Sequence, residues 1–412
     1  MRILFANDGI GDAGGVQTYL AAVMPEIARH GHQVALLHLD PARVGEGSPA
    51  PAGAPHFCMA EMGVGPALEA ARAWGPDVAF SHNMRPLEVE RGLMEMAPTV
   101  KMMHGYFGTC IGGQKAHLWP RPEPCARRFG PACLALYVPR RNGKMSLPYI
   151  ADQYRWAGEQ NALFPGYAFV VTASFHMRAE YVRNGVHPQR ARAIPLFSNV
   201  RLKKGDEPPP PADFRVLFLG RMTRLKGGDY LIRAAAKAQA QVGRPIPLTL
   251  AGDGPQRAEW EALAAGLGVD ATFPGWVSEE ERSRLFRTAS LLAVPSVWPE
   301  PFGLVGLEAG TFGVPAVAYD VGGIAEWLGE GSNGWLAPGD PPTVEGLAAL
   351  LVRAAANPAE LAALRPLARA AARHHSLGAH LFHLERVLDA AARRDPLPFD
   401  PEYDVGDEEE YR

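Results

Sequence analysis

The sequence predicts an α/β protein built from two doubly wound, Rossmann-like domains that face each other across a cleft. The chain has 412 residues, which suits two domains of ordinary size. Short apolar runs alternate with amphipathic stretches in both halves, a pattern typical of parallel sheets with crossover helices. Between the halves lies KKGDEPPPPAD, whose four consecutive prolines favour an extended, semi-rigid linker.

The first domain is predicted to span residues 1–202. Its strands are expected at 2–6, 33–39, 77–81, 100–103 and 168–172. One helix is expected at 16–30, after the glycine-rich turn DGIGDAGG, and another at 151–164. The stretch from about 105 to 150 is rich in Gly, Pro, Arg and Cys and shows no clear period. It is therefore either a long functional loop or a small inserted subdomain.

After the linker at 203–213, the alternation restarts, and the second domain is predicted to span 214–375. Its strands are expected at 214–219, 248–251, 291–295 and 315–319, and its helices at 230–241, 257–266 and 304–312. Residues 342–394 are helical and Ala-rich, and we expect 376–394 to pack back on the first domain. Residues 395–412 form an acidic, proline-containing tail.

The bulk composition excludes several classes of protein. A formal net charge of -3 is not the basic footprint that duplex nucleic acid would need. The sequence has no run of about 18 apolar residues, so no spanning helix is expected. MRILFANDG enters a strand-like run without the features of a secretory signal. We expect a cytoplasmic protein, with a peripheral contact on the inner face of the membrane left open.

Two carboxylates mark the segment PSVWPEPFGLVGLEAG at residues 295–310. Glu300 precedes a predicted helix and Glu308 lies within it. The first turn of a helix has unpaired backbone N–H groups, which favour anionic or polyhydroxylated ligands. In open parallel sheets, ligands bind beyond the carboxyl ends of the strands. The segment therefore predicts a ligand site between the two domains.

The same segment carries a family resemblance. Its spacing resembles the signature of the retaining GT-B glycosyltransferases of the GT4 type, also called glycosyl transferases group 1. Other segments follow in the family's order across roughly residues 1–390: GGVQTYL, His104–Gly105, GRMTRLKG, AGDGP, FPGWV, DVGGIAE and NGWLAPGD. The resemblance implies a GT-B fold and transfer of a hexose-type sugar from a nucleotide donor.

By this resemblance, Glu300 hydrogen-bonds the transferred sugar and Glu308 the nucleotide ribose. Arg221 and Lys226 stabilise the negative charge of the departing diphosphate. His104 contacts the donor sugar and helps to stabilise positive charge at the anomeric carbon. The remaining donor-binding positions are backbone or loop residues: Gly14, Gly15, Gly252, Trp276, Val277, Phe302, Gly303 and Leu304.

Other implications concern the reaction partners. Asp253 is either a contact to the base or a turn residue. The donor is expected to be a UDP- or GDP-sugar, and the acceptor a saccharide, a lipid-linked molecule or a small molecule. The family is thought to use a same-face mechanism, in which a donor phosphate oxygen takes the acceptor proton. No metal or other cofactor is required, because the basic pair neutralises the charge.

Residues 105–150 contain three of the four cysteines: Cys110, Cys125 and Cys133. With His117 they could form a structural zinc site, although no CxxC pair is present. Free thiols and a disulfide are the alternatives. The same stretch is basic, and it could guide an anionic or lipid-phosphate acceptor or be a solvated loop. Its cations are Arg121, Arg127, Arg128, Arg140, Arg141 and Lys144.

Three other functions compete with transfer. A sugar-nucleotide epimerase of the same fold would lack the PEPFGL-type segment. A sugar-nucleotide-binding protein that had lost transfer would not be expected to keep Arg221, Lys226, Glu300 and Glu308. An NAD(P)-dependent oxidoreductase would need a dinucleotide fingerprint, and DGIGDAGG is a weak one.

Overall fold

The computed structural model describes residues 1–9, 15–40, 49–203 and 205–397. Two parallel sheets, one in each half of the chain, form the framework, so the predicted fold class is confirmed. The first sheet is covered on both faces. Ile3 and Phe5 pack on one side, and Leu4 and Ala6 pack on the other. A strand that is buried on both faces has a continuous apolar sequence, and these strands have such sequences.

The first sheet begins with alternating strands and helices. In chain order these are β1 (Arg2–Asn7), α1 (Gly15–Arg29), β2 (Gln33–His38), β3 (His56–Cys58), α2 (Met59–Met62), α3 (Val64–Trp74), β4 (Val78–Ser81), α4 (Leu87–Met96) and β5 (Thr99–Met103).

After β5 the chain leaves the sheet and forms a small substructure. It contains the antiparallel hairpin β6 (Ala116–His117) and β7 (Glu123–Pro124), the helix α5 (Pro131–Tyr137) and the start of α6 (Leu147–Leu163). Ile111, Tyr137 and Ile150 form its own apolar core. Of the two alternatives for residues 105–150, the structure therefore shows the inserted subdomain.

The chain then returns to the first sheet through β8 (Phe169–Thr172), α7 (Phe175–Arg183) and β9 (Ala191–Ala193). The strand order is β3-β2-β1-β4-β5-β8-β9. The proline-rich segment follows and lies against the second half, where the guanidinium of Arg369 donates to the carbonyl of Pro208 at 3.2 Å.

The second sheet has the order β12-β11-β10-β13-β14-β15. In chain order its elements are β10 (Val216–Leu219), α8 (Gly228–Val242), β11 (Leu248–Ala251), α9 (Arg257–Gly266), β12 (Ala271–Gly275), α10 (Glu279–Thr288), β13 (Leu291–Val294), α11 (Leu304–Thr311), β14 (Ala316–Tyr319) and β15 (Gly334–Ala337).

Three helices end the described chain: α12 (Val344–Ala356), α13 (Pro358–His374) and α14 (Leu377–Arg393). The first two cover the second sheet, whereas Leu381, Leu384 and Leu388 of α14 join the core of the first sheet. The last helix therefore ties the two halves together. The predicted acidic tail lies outside the described residues from 398 onward.

Within the described ranges, no single helix is long and apolar enough to cross a membrane. One pair of helices, Val344–Ala356 with Pro358–Arg393, passes on length and composition when counted together, but it is bent by 100°.

Candidate active site

The candidate site lies where the second sheet reverses its strand order. Strands β10 and β13 are neighbours, and the chain runs outward from them in opposite directions. The loop after β10 carries Arg221 and Lys226, and the loop after β13 carries Glu300. The carboxyl ends of such neighbouring strands form the crevice in which open α/β sheets bind ligands.

Lys226 and Glu300 form an ion pair at this crevice, although 74 residues separate them in the chain. The same carboxylate oxygen, Oε1 of Glu300, accepts a hydrogen bond from the hydroxyl of Ser296 at 2.8 Å. Glu300 is buried, whereas the side chain of Lys226 is 31% exposed. A buried charge needs such partners, so the pair holds both side chains in defined positions.

The two loops touch through a glycine. Gly227 has a φ of +64°, and a Cβ there would lie 1.9 Å from the carbonyl oxygen of Pro295. Next to it, the N–H of Val297 donates to the carbonyl of Leu225 at 2.9 Å. Since a side chain at 227 would drive the loops apart, the glycine fixes the distance between the lysine loop and the glutamate loop.

Glu308 lies in the second turn of α11, and its carboxylate accepts from the guanidinium of Arg282 at 3.3 Å. Burial raises the pKa of Glu308, and Arg282 opposes this rise. The predicted residues Phe302, Gly303 and Leu304 form the start of the helix, with Gly303 as its left-handed N-cap. This start carries unpaired backbone N–H groups.

The loop after β11 packs against the loop after β10. The N–H of Met222 donates to the carbonyl of Asp253 at 2.8 Å, and the N–H of Gly252 donates to the carbonyl of Gly275 at 2.8 Å. The carboxylate of Asp253 accepts from the N–H of Gly254 at 2.7 Å and pairs with Arg257.

The side chain of Asp253 therefore has partners within its own turn, and its contact to a base stays a prediction. The predicted base contacts Trp276 and Val277 follow β12, and Trp276 is 83% exposed. Arg221 is also exposed.

On the first-domain side, His104 follows β5. Its Nε2 lies 3.0 Å from Nδ1 of His82, which follows the neighbouring strand β4. Tyr19 packs its ring against His104, and its hydroxyl lies 2.8 Å from Nε2 of His380 in α14. Burial, with Lys101 and His380 nearby, lowers the pKa of His104 to about 3. The imidazole is therefore neutral near pH 7.

Of the two predicted glycines in the first loop, Gly15 begins α1 and is exposed. Gly14 lies outside the described residues.

The two domains meet beside Glu300. The ring of Tyr106 lies 6.4 Å from that of Trp298 and 6.2 Å from that of His176, measured between centroids. The carboxylate of Glu326 reaches across the interface and accepts from the backbone N–H of His176 at 3.3 Å. Burial raises the pKa of Glu326 to about 8.

Three buried polar atoms at this junction have no hydrogen-bond partner in the structure: the hydroxyl of Tyr106, Nε1 of Trp298 and Oε2 of Glu326. Buried polar groups are normally paired, so this junction is where polar partners such as ligand hydroxyls or water would fit. Tyr106, Trp298 and Glu326 were not predicted from the sequence to belong to the site. Of these three, Glu326 could have been identified because it lies in the motif DVGGIAE.

Of the three alternatives for the clustered cysteines, the structure shows free thiols. Cys110, Cys125 and Cys133 do line one small cavity with His117 and Asn142. However, no group of His, Cys, Asp or Glu in the described residues has the arrangement to hold a metal ion, and the cysteines are free thiols. Burial raises the pKa of the Cys133 thiol. Nδ1 of His117 is 3.2 Å from the side-chain amide of Asn142.

Comparison with known proteins identifies the family. The family model described as glycosyl transferases group 1 matches residues 200–371. The 2-deoxystreptamine glucosyltransferase of Streptomyces kanamyceticus is 33% identical over 270 residues, which are 62% of this chain and 68% of that protein. The D-inositol 3-phosphate glycosyltransferase of Rhodococcus erythropolis is 33% identical over 230 residues, 52% of each chain.

Solved structures show the same fold. HepE from Anabaena, determined with UDP and glucose, has a TM-score of 0.67 at 18% identity and covers 95% of this chain and 100% of its own. Sucrose-phosphate synthase from Thermosynechococcus elongatus has a TM-score of 0.65 at 22% identity and covers 95% and 99%. These similarities show the GT-B architecture. The chain is therefore a glycosyltransferase and belongs to the glycosyl transferases group 1 family.

Proposed function

We propose that the protein transfers a hexose from a nucleoside-diphosphate donor to an acceptor hydroxyl with retention of configuration. The observation that carries this proposal is the Lys226–Glu300 pair at the junction of β10 and β13. In this proposal the cation faces a diphosphate and the carboxylate faces sugar hydroxyls. The two loops approach closely at Gly227, where a side chain would meet the carbonyl of Pro295.

A bound donor would contact the Lys226–Glu300 pair without separating the two side chains. An ammonium group has three N–H donors, so Lys226 can keep Glu300 while it faces a phosphate oxygen. Breaking the glycosidic bond leaves negative charge on the diphosphate, and a fixed cation stabilises that charge most in the transition state. Arg221, exposed on the same loop, is the second cation of this proposal.

The electrostatic requirement at the transferred sugar is opposite to the requirement at the diphosphate. Positive charge develops at the anomeric carbon as the bond breaks. A protonated histidine would oppose that charge, but His104 is neutral because its pKa is about 3. It can therefore line the sugar pocket as a dipole. In a same-face mechanism, a donor phosphate oxygen takes the proton of the acceptor hydroxyl, so no nucleophilic carboxylate is needed.

UDP-glucose is the first donor to test. HepE has been solved with UDP and glucose and with UDP-glucose, and one relative is a 2-deoxystreptamine glucosyltransferase. GDP-sugars are the second choice. The acceptor is proposed to be a saccharide, a small polyol or a lipid-linked molecule. Gly14 and Gly15 would close over the diphosphate, as the family resemblance implies.

The test incubates the protein with UDP-, GDP- and ADP-glucose and a panel of hydroxyl acceptors. Release of nucleoside diphosphate is measured, and the anomeric proton coupling of the product is read by NMR. An α-linked product from an α-linked donor supports retention. A β-linked product overturns it. Conversion of the donor sugar without any acceptor would instead favour an epimerase.

A further inference from the structure

The inserted subdomain carries an unusual surface. Twelve large apolar side chains are exposed in the described part of the chain, and six of them fall between residues 119 and 149; we call these six the insertion surface. Its apolar members are Trp119, Leu134, Val138, Met145, Leu147 and Tyr149. Leu147, the most exposed, is 73% accessible. Scattered exposed apolar residues are ordinary, but such a concentration in about 30 residues of one subdomain marks an interaction site.

Helix α5 shows how the surface arises. Tyr137 points into the small core, whereas Leu134 and Val138, one turn apart, are both exposed. Pro131 and Ala135 are exposed on the same side. The helix therefore buries one apolar face and presents another to solvent. A helix whose outward face is apolar requires something to cover it, because water otherwise meets the apolar area.

The same stretch of chain is rich in positive charge. Residues 105–150 contain seven Lys and Arg residues but a single acid, Glu123, in a chain whose net charge is -3. Glu123 is already paired with Arg140 at 3.2 Å, and the buried Lys115 is paired with Glu180 at 2.7 Å. The other five cations are exposed: Arg121, Arg127, Arg128, Arg141 and Lys144.

Two of these cations lie directly on the aromatic members of the surface. The guanidinium of Arg141 is 4.7 Å from the ring centre of Trp119, and the ammonium of Lys144 is 5.5 Å from that of Tyr149. Charge and apolar area are therefore interleaved rather than segregated. Tryptophan and tyrosine beside Lys and Arg match the interface between lipid headgroups and acyl chains.

We propose that the insertion surface docks the protein reversibly on an anionic lipid bilayer. Apolar side chains enter the headgroup region, and Arg127, Arg128, Arg141 and Lys144 face the lipid phosphates. The charge pattern selects this occupant: an acidic lipid surface complements these cations at once, whereas a second copy of this surface would repel them. The proposal does not depend on the transfer reaction.

The subdomain is attached firmly enough to orient the whole molecule. Lys115 of the subdomain pairs with Glu180 of α7, and both side chains are buried. The hydroxyl of Tyr181 donates to the carbonyl of Gly105 at 2.6 Å, where the insertion begins directly after His104. Docking would therefore hold the first-domain wall of the cleft close to the bilayer.

The test is sedimentation of the full-length protein with vesicles. One set contains phosphatidylcholine alone, and the other contains phosphatidylcholine with about one third phosphatidylglycerol. We expect binding to the anionic vesicles that weakens with added salt, and little binding to the neutral ones. Reversal of Arg127, Arg128 and Arg141 to Glu should lower the binding constant by about a hundredfold, or about fivefold per cation.

A second variant tests the apolar part. Leu134→Ser with Leu147→Ser should weaken vesicle binding by about tenfold or more. These side chains are exposed, so the melting temperature should stay unchanged. Two matched controls lie outside the insertion: Arg201, Arg233 and Arg373 to Glu, and Leu267→Ser with Leu367→Ser. Both should bind vesicles as the wild type does.

Several results would overturn the proposal. These are no binding to anionic vesicles, equal binding to both vesicle types, or equal losses in the insertion and control variants. A dimer in sedimentation velocity that only the insertion variants abolish, without vesicle binding, would assign the surface to a protein contact instead. None of these results bears on donor turnover, which is measured without lipid.

Discussion

The loops at the carboxyl ends of β10 and β13 differ from the inserted subdomain in nearly every physical respect. The loops are tied together by backbone contacts, and the Lys226–Glu300 pair between them is partly buried. The subdomain exposes both its cations and its apolar side chains. The first arrangement suits a small ligand held at fixed distances, and the second suits a broad, adaptable surface.

This difference explains why one half of the function is easier to infer. A diphosphate and a sugar demand particular charges at particular distances, so Lys226 and Glu300 can be read from short motifs. A surface or an acceptor can be bound in many ways, and residues 105–150 carry no comparable pattern. The family model accordingly matches 200–371 and does not extend over the insertion.

The largest expected effect comes from Lys226→Ala. If the second domain binds the diphosphate, kcat should fall by about a hundredfold to a thousandfold, because a fixed cation at the leaving group is lost. Steady-state release of nucleoside diphosphate measures this. Arg224→Ala is the matched control, since Arg224 is an exposed cation two residues away. A near wild-type rate for Lys226→Ala would remove this lysine from the reaction.

A smaller loss is expected for Glu300→Gln. It keeps the shape of the side chain but removes the charge that Lys226 and Ser296 bind, and kcat/KM should fall by about a hundredfold. Ser296→Ala, which removes one hydrogen bond to the same oxygen, should cost about tenfold. Equal effects in the two variants would show that the carboxylate acts only as an anchor for its own loop.

Glu308→Gln should act mainly on binding. A contact to the ribose is made equally in the ground state and the transition state, so donor KM should rise about tenfold while kcat changes little. Glu280→Gln on the neighbouring helix α10 is an exposed control. A fall in kcat without a change in KM would contradict the ribose assignment.

The last prediction concerns pH and the domain interface, and it is measured as stability rather than as turnover. The pKa of Glu326 is raised to about 8 by burial, so the folded protein favours the protonated carboxyl. Its contribution to stability is complete below the ordinary pKa of 4.5 and is lost as the pH rises through about 8. The loss is up to roughly 5 kcal/mol.

The melting temperature of the wild type should therefore fall from pH 5 to pH 9 more steeply than that of Glu326→Gln. The variant keeps a neutral side chain throughout this range. Parallel curves for the two proteins would show that Glu326 does not titrate in this range.

The sequence predicts the centre of each sheet well and its edges poorly. The predicted strands at 248–251 and 100–103 lie within one residue of Leu248–Ala251 and Thr99–Met103. In the two parallel sheets, the four strands that were not predicted are the four edges: His56–Cys58, Ala191–Ala193, Ala271–Gly275 and Gly334–Ala337. An edge strand is short and pairs on one side, so it lacks the long apolar run that marks a central strand.

Prediction of the site from the sequence is also incomplete. The types of residue at 226, 300 and 308 are readable from motifs, but their partners are not, because contact depends on which strands are neighbours. Ser296 and Arg282 have no motif of their own, and His82 meets His104 only because β4 lies beside β5. Tyr106 and Trp298 meet across the domain junction. The roles of all these residues toward the donor stay predictions.

The central claim is that the loops after β10 and β13 bind a nucleoside diphosphate. The most direct measurement is thermal unfolding of the wild type and of Lys226→Ala with saturating UDP, GDP or ADP. A ligand that binds the folded state raises the melting temperature by mass action. We predict a clear rise with at least one nucleotide, UDP first, and a much smaller rise in Lys226→Ala. No rise with any of the three, or equal rises in both proteins, would contradict the account.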